Sequence, residues 1–252
     1  MTSRPYTAHP NDTALSQPGA IRAALRAVFV PSAAAADIDG PHYPTRAERT
    51  ADLVIHIAGL AFAVIGGGGA VVLAVSHGVL GLSAAIAVYA LGLFAMLAFS
   101  TAYNFAHPRW QPFLFRLDHA GIFLMIAASY TPFTTQLLQG AWSWGMTAAV
   151  WGLACAGVVI KLVLPRLGER VSMLFYLGMG WLVVLAIKPF LERVPPPALI
   201  LLAVGGIVYS AGAVLFVLKR CKFRRAIWHG HVLAGAVTHY AAVMVGVVFA
   251  VG

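Results

Sequence analysis

The chain has 252 residues, of which 60% are apolar and only 10% charged, with a mean hydropathy of +0.84. Soluble domains carry about 25% charged residues, so that class is excluded and an integral membrane protein is indicated. The net charge of +9 does not point to nucleic acid, because the basic residues sit between apolar runs and suit loop anchoring at an anionic membrane surface.

Residues 1–46 read as a polar cytoplasmic tail rich in Pro, Ser, Thr and Ala. Within it Ile21, Leu25 and Val28 recur at helical spacing with Arg22 and Arg26 on another face, the pattern of a short amphipathic helix over 20–30 lying on the membrane. The first long apolar segment begins too late for a cleavable signal peptide. Residues 47–252 read as one membrane domain. Its seven apolar segments, at 51–75, 79–104, 117–137, 141–163, 171–190, 198–218 and 226–250, each reach the ~20 residues needed to cross a bilayer. Gly66 to Gly69 are expected to let neighbouring helices approach closely. Pro132 and Pro189 are expected near helix ends, where a missing amide donor costs least. Cys155 and Cys221, the two cysteines, make no disulfide framework.

Topology follows from the basic residues. Arg4, Arg22, Arg26, Arg46 and Arg49 lie in or beside the tail, and Arg109 and Arg116 in the second connection. Lys161, Arg166 and Arg170 flank the fourth, and Lys219, Arg220, Lys222, Arg224 and Arg225 the sixth. Those fifteen fall on one side, against only Lys188 and Arg193 on the other. The expectation is an all-α seven-helix bundle with its amino terminus cytoplasmic and its carboxyl terminus outside.

That topology gathers the unusual polar residues at the cytoplasmic end. Glu48, Asp52 and His56 open helix one; Ser100 and Asn104 lie four apart on one face at the exit of helix two. Asp118 and His119 open helix three. Arg225 and His229 open helix seven, with His239 about 15 Å deeper. Acids and histidines inside membrane helices are expensive and serve as functional candidates. Plainer roles stand beside this one: Glu48 as an acid at a positive helix start, and Ser100, Asn104 and His56 as interhelical hydrogen-bonding groups.

The ordered motifs Glu48-x3-Asp52-x3-His56, Ser100-x3-Asn104, Arg116-Leu117-Asp118-His119, Ser129-Tyr130-Thr131-Pro132-Phe133 and Phe175 to Trp181 continue with Gly205-Gly206-x2-Tyr209 and Ile227-Trp228-His229, with His239 beyond. This set resembles the hemolysin III family, the bacterial branch of the progestin and adipoQ receptor family. The resemblance implies a multi-pass protein of the bacterial cytoplasmic membrane, active in membrane homeostasis or pore-related cytolysis, with membrane lipids as partners. It also implies kinship with ceramidase-like hydrolases that use zinc against a lipid amide. The family's metal pattern is a histidine four after the helix-two serine and two histidines four apart opening helix seven. Asn104 and Arg225 stand at two of those positions, and only His229 matches.

Two expectations follow. In the first, Arg225 pairs with Asp118 or Glu48 and the cluster holds no metal; a cation beside His229 would repel zinc, which favours this one. In the second, a zinc site is rebuilt from His229 with Asp118, His119, His56 or His239, and Asp118 and Ser100 serve a hydrolase. A proton- or ion-coupled carrier using Asp118, His119 and His239 is a further alternative. The sequence sets no oligomeric state.

Overall fold

A computed structural model describes residues 43–163, 169–217 and 221–251; the helix expected at 20–30 lies outside them. Among the described residues seven helices are long and apolar enough to cross a membrane: α1 Arg46–Ser76, α2 Leu80–Phe105, α3 Pro108–Gln136, α4 Gly140–Val163, α5 Val171–Arg193, α6 Pro196–Phe216 and α7 Arg224–Val248. Among the described residues there is no strand. The α1–α2 and α3–α4 connections turn on Gly78 and Gly140, whose φ of 72° and 56° lie in the left-handed region that glycine adopts without a Cβ clash. The chain is an all-α, multi-pass membrane protein.

Helix α3 runs through the middle of the bundle, packed chiefly on α2 and α4, while α6 packs along α7. Small residues make these approaches close. Gly92 of α2 faces Ala128 of α3 so tightly that a Cβ there would come within 2.5 Å of the alanine methyl. Outward faces carry Ile65, Val72, Leu80, Leu185 and Ile200, exposed as lipid-facing side chains should be. The glycine run at 66–69 divides by face. Gly66 and Gly67 lie against Phe62, Tyr240 and Ala90, whereas Gly68 and Gly69 face open space. The chain widens into a π turn at Ala63–Gly67, and Gly66 O accepts a hydrogen bond from Tyr240 OH at 3.0 Å.

Two boundaries differ from the sequence expectation. Helix α1 starts five residues early, at Arg46, because Thr45 and Glu48 form a capping box there. Helix α3 starts at a 3-10 turn over Pro108–Trp110 and becomes α-helical at Gln111. Pro108 and Pro112 are tolerated in that first turn, where backbone donors have no intrahelical partner. Asp118 is therefore not at the mouth of α3 but seven residues inside it, about 10 Å along the axis. Pro132 lies inside α3 about one turn before its end at Gln136, near a helix end as expected.

Helix α5 breaks from α into 3-10 geometry over Trp181–Ala186. Tyr130 of α3 repairs the break: its hydroxyl donates to Gly180 O at 2.7 Å and accepts from Val183 N at 2.9 Å. Backbone groups freed inside a bilayer need such partners. We expect Tyr130→Phe to lower unfolding stability by about 1–3 kcal/mol, the cost of unsatisfied buried groups, read as a fall in the thermal midpoint in detergent. An unchanged midpoint would remove this role.

Candidate functional site

The site begins with how α1 and α7 are tied at their amino-terminal ends. Glu48 closes its capping box through Thr45, and its other oxygen, Oε1, accepts from Phe223 N at 2.9 Å. Phe223 precedes α7 in the left-handed region at φ 58°, uncommon for a residue with a Cβ. Glu48 is thus committed to helix ends and is partly exposed, apart from the buried groups one turn deeper.

Asp52 and His56 follow at i and i+4 on the inner face of α1, with 0% and 3% exposure. Both oxygens of the Asp52 carboxylate are engaged. Oδ1 accepts from His229 Nδ1 of α7 at 2.7 Å, and Oδ2 accepts from Tyr43 OH at 2.5 Å. Burial and the adjacent carboxylate push the Tyr43 phenol well above its ordinary pKa, so it remains a donor. Tyr43 also lies 3.4 Å from Asn104 Oδ1 and stacks on Phe105.

The protonation of His56 follows from its neighbours. Thr101 Oγ1 donates to Leu97 O at 2.7 Å, so it meets His56 Nδ1 at 3.1 Å as an acceptor. The ring proton is thereby assigned to Nδ1, leaving a lone pair on Nε2. That atom is buried, has no hydrogen-bond partner, and faces Asp52 Oδ2 at 3.6 Å. The His56 and His229 rings are 4.4 Å apart. Asp52, His56 and His229 each offer a donor atom, all within 4.8 Å of one another.

A buried imidazole lone pair aimed at a carboxylate, its far nitrogen fixed by a hydroxyl, has the character of a metal ligand held by an outer partner. The three residues fit a divalent cation. Of the partners expected for a rebuilt site around His229, His56 is brought to it. Asp52, expected in the cluster but not as a ligand, joins them.

The remaining candidates divide. Asp118 neighbours Ser100 and lies within electrostatic reach of His56, Asp52 and Arg225. Asn104 donates through Nδ2 to Ser100 O at 2.9 Å, which directs its carbonyl oxygen to Tyr43. Among the described residues Arg225 makes no ion pair with Asp118 or Glu48, so the expected pairing is not formed; both ion pairs found belong to Asp52. His119 turns away, its Nδ1 bonded to Phe115 O at 2.9 Å. His239 reaches α6, with Nε2 3.3 Å from Leu202 O. Gly205 makes room for that ring, since a Cβ there would come within 2.2 Å of it.

Tyr43 and Thr101 are functional neighbours that sequence reasoning missed. Tyr43 falls in a stretch that reads as tail, and Thr101 sits beside Ser100 with nothing to mark it. The signal available for Thr101 was its position on α2 facing the His56 turn, which needs the helix pairing to be known.

A cavity opens directly from this cluster. His56, His229 and Ser100 line one end, and the walls are chiefly apolar, including Met96, Met125, Tyr176 and Leu177. Trp181 and His239 line its deeper part. From His229 to His239 is about 15 Å along α7, half the ~30 Å hydrocarbon core.

The model of a family described as haemolysin-III related matches residues 45–240. The chain is 37% identical over 169 residues to "Hemolysin-3" of Bacillus cereus, covering 67% of this chain and 77% of that one. It is 33% identical over 152 residues to "Hemolysin-3 homolog" of Bacillus subtilis strain 168, covering 60% and 71%. It is 29% identical over 163 residues to the human "Monocyte to macrophage differentiation factor", covering 62% and 67%.

The geometry predicts that zinc titrated into chelator-treated protein raises its thermal midpoint. The gain should approach 2.7 kcal/mol when free ion reaches about a hundred times its dissociation constant. His56→Ala should abolish the shift, whereas His119→Ala should keep it. No shift in the unaltered protein would rule the cation out.

Proposed function

The chain belongs to the haemolysin-III-related family, and from that premise we propose that it is a zinc-dependent lipid amide hydrolase of the bacterial cytoplasmic membrane. The observation that carries the reading is the cavity: an apolar channel, one leaflet deep, that ends on His56, His229 and Ser100, with Asp52 behind the two histidines. The strongly one-sided distribution of basic residues supports an orientation with that end at the cytoplasmic face.

Asp52, His56 and His229 would hold the zinc, which when bound supplies a Lewis acid and lowers the pKa of water. The residues of the chain do the rest. The apolar walls receive the acyl chain and bring the amide to the polar end. Asp118, oriented by Ser100, holds the attacking water and takes its proton. The water oxygen bonds to the acyl carbon, the C–N bond breaks, and the proton passes to the departing amine. The products are a fatty acid and an amine. Thr101 keeps His56 in the tautomer that offers Nε2, and Tyr43 closes the outer side of Asp52 against bulk water.

This reading gives the membrane-homeostasis role a chemical content, since lipid turnover alters membrane composition. The carrier alternative draws less support. It asks Asp118, His119 and His239 to relay a proton, but His119 and His239 each engage a backbone carbonyl on separate elements. The mainly apolar lining also suits a hydrocarbon chain better than an ion.

Purified, zinc-loaded protein in liposomes containing ceramide and phospholipid should release fatty acid, and Asp118→Asn should slow release by roughly 100-fold or more, the usual contribution of a general base. No release from any amide lipid, with an ion flux that stops in Asp118→Asn, would replace the hydrolase with a transporter.

A further inference from the structure

Arg225 stands where the family pattern has a metal-ligand histidine, and its surroundings bear on which lipid the site takes. Asp52 and Asp118 bring two negative charges to this end of the bundle. Asp52 is taken up by His229 and Tyr43, and among the described residues neither carboxylate forms an ion pair with Arg225. Arg225 lies one turn before His229 on the same face of α7, within electrostatic reach of Asp118, Tyr43 and His229. Among the described residues it has no hydrogen-bond or ion-pair partner, and it is only partly exposed. Trp228, three residues along the same helix, lines the cavity.

A guanidinium presents a planar fork of donors that matches a carboxylate or phosphate in two parallel hydrogen bonds. In a partly buried setting with no carboxylate paired to it, that fork is open to an anion from the ligand. We propose that Arg225 reads an anionic oxygen group on the lipid. The site then takes single-chain amides whose head carries a carboxylate or phosphate beside the amide, in preference to neutral amide lipids. The acyl chain fills the cavity, the amide meets Ser100 and Asp118, and the anion rests on Arg225. This rests on the lipid-in-cavity part of the function proposed above.

Binding tests it without relying on turnover. Three ligands of one chain length are titrated into the full chain in detergent, with quenching of tryptophan fluorescence as the readout: N-palmitoylglycine, N-palmitoylethanolamine and N-palmitoylethanolamine phosphate. The two anionic ligands should bind at least about 10-fold more tightly than the neutral one, a difference of ~1.4 kcal/mol. Arg225→Gln should erase that preference while leaving the neutral ligand's affinity unchanged, which also shows the variant folded. Arg225→Lys, which keeps the charge but loses the fork, should retain part of it. If only the carboxylate or only the phosphate is favoured, the source of the anion is identified.

Equal affinity for charged and neutral ligands in the unaltered protein overturns the proposal, as does a preference that survives Arg225→Gln. The outcomes separate from those of the hydrolase reading. Charge-selective binding with no cleavage of any ligand removes the hydrolase and leaves this inference. Cleavage of the neutral amide with the same efficiency as the anionic ones removes this inference and leaves the hydrolase.

Discussion

A carboxylate with no exposure inside a membrane bundle is the constraint from which the rest follows. Asp52 can stay ionised there only if both of its oxygens are hydrogen-bonded, because an isolated charge in a low-dielectric interior costs several kcal/mol. It recruits a donor from α7, His229, and a donor from the segment before α1, Tyr43. Those two contacts fix the relative placement of α1 and α7 and seal the bundle at that end. Glu48 reinforces the same junction from the exposed side through Phe223 N. Tying these helices brings His56 against His229 and leaves one imidazole nitrogen buried with nothing to bond.

Much of this arrangement was legible in the sequence, for identifiable reasons. The seven spans stand out because about 20 apolar residues in a row have few other uses. The shared polar pole was legible because charges in such segments are rare. Which of those polar residues touch was not. Asp118 and Asp52 look alike as lone acids on apolar helices, but only Asp52 meets two histidines. The difference lies in helix rotation and in the early start of α3 at Pro108, which carries Asp118 about 10 Å inward. His119 and His239 looked like members of the cluster by depth alone. Their rings turn to Phe115 O and Leu202 O, a choice that depends on which face each helix presents.

Two residues depart from the family's metal pattern. Asn104 cannot offer an imidazole; its Nδ2 donates to Ser100 O, and its Oδ1 lies 3.4 Å from the Tyr43 hydroxyl. Arg225 carries a fixed positive charge one turn before His229, and among the described residues it forms no ion pair. On α1 an acid and a histidine, Asp52 and His56, stand one helical turn apart beside His229 of α7. The cavity beneath this group opens onto His56, His229 and Ser100.

X-ray absorption at the zinc edge of the purified, zinc-loaded protein tests this most directly. The account predicts two imidazole nitrogens and one carboxylate oxygen at about 2.0–2.2 Å, with one imidazole lost in His56→Ala and the carboxylate contribution lost in Asp52→Ala. A spectrum with a single imidazole, a fully hydrated ion, or no retained zinc would contradict it.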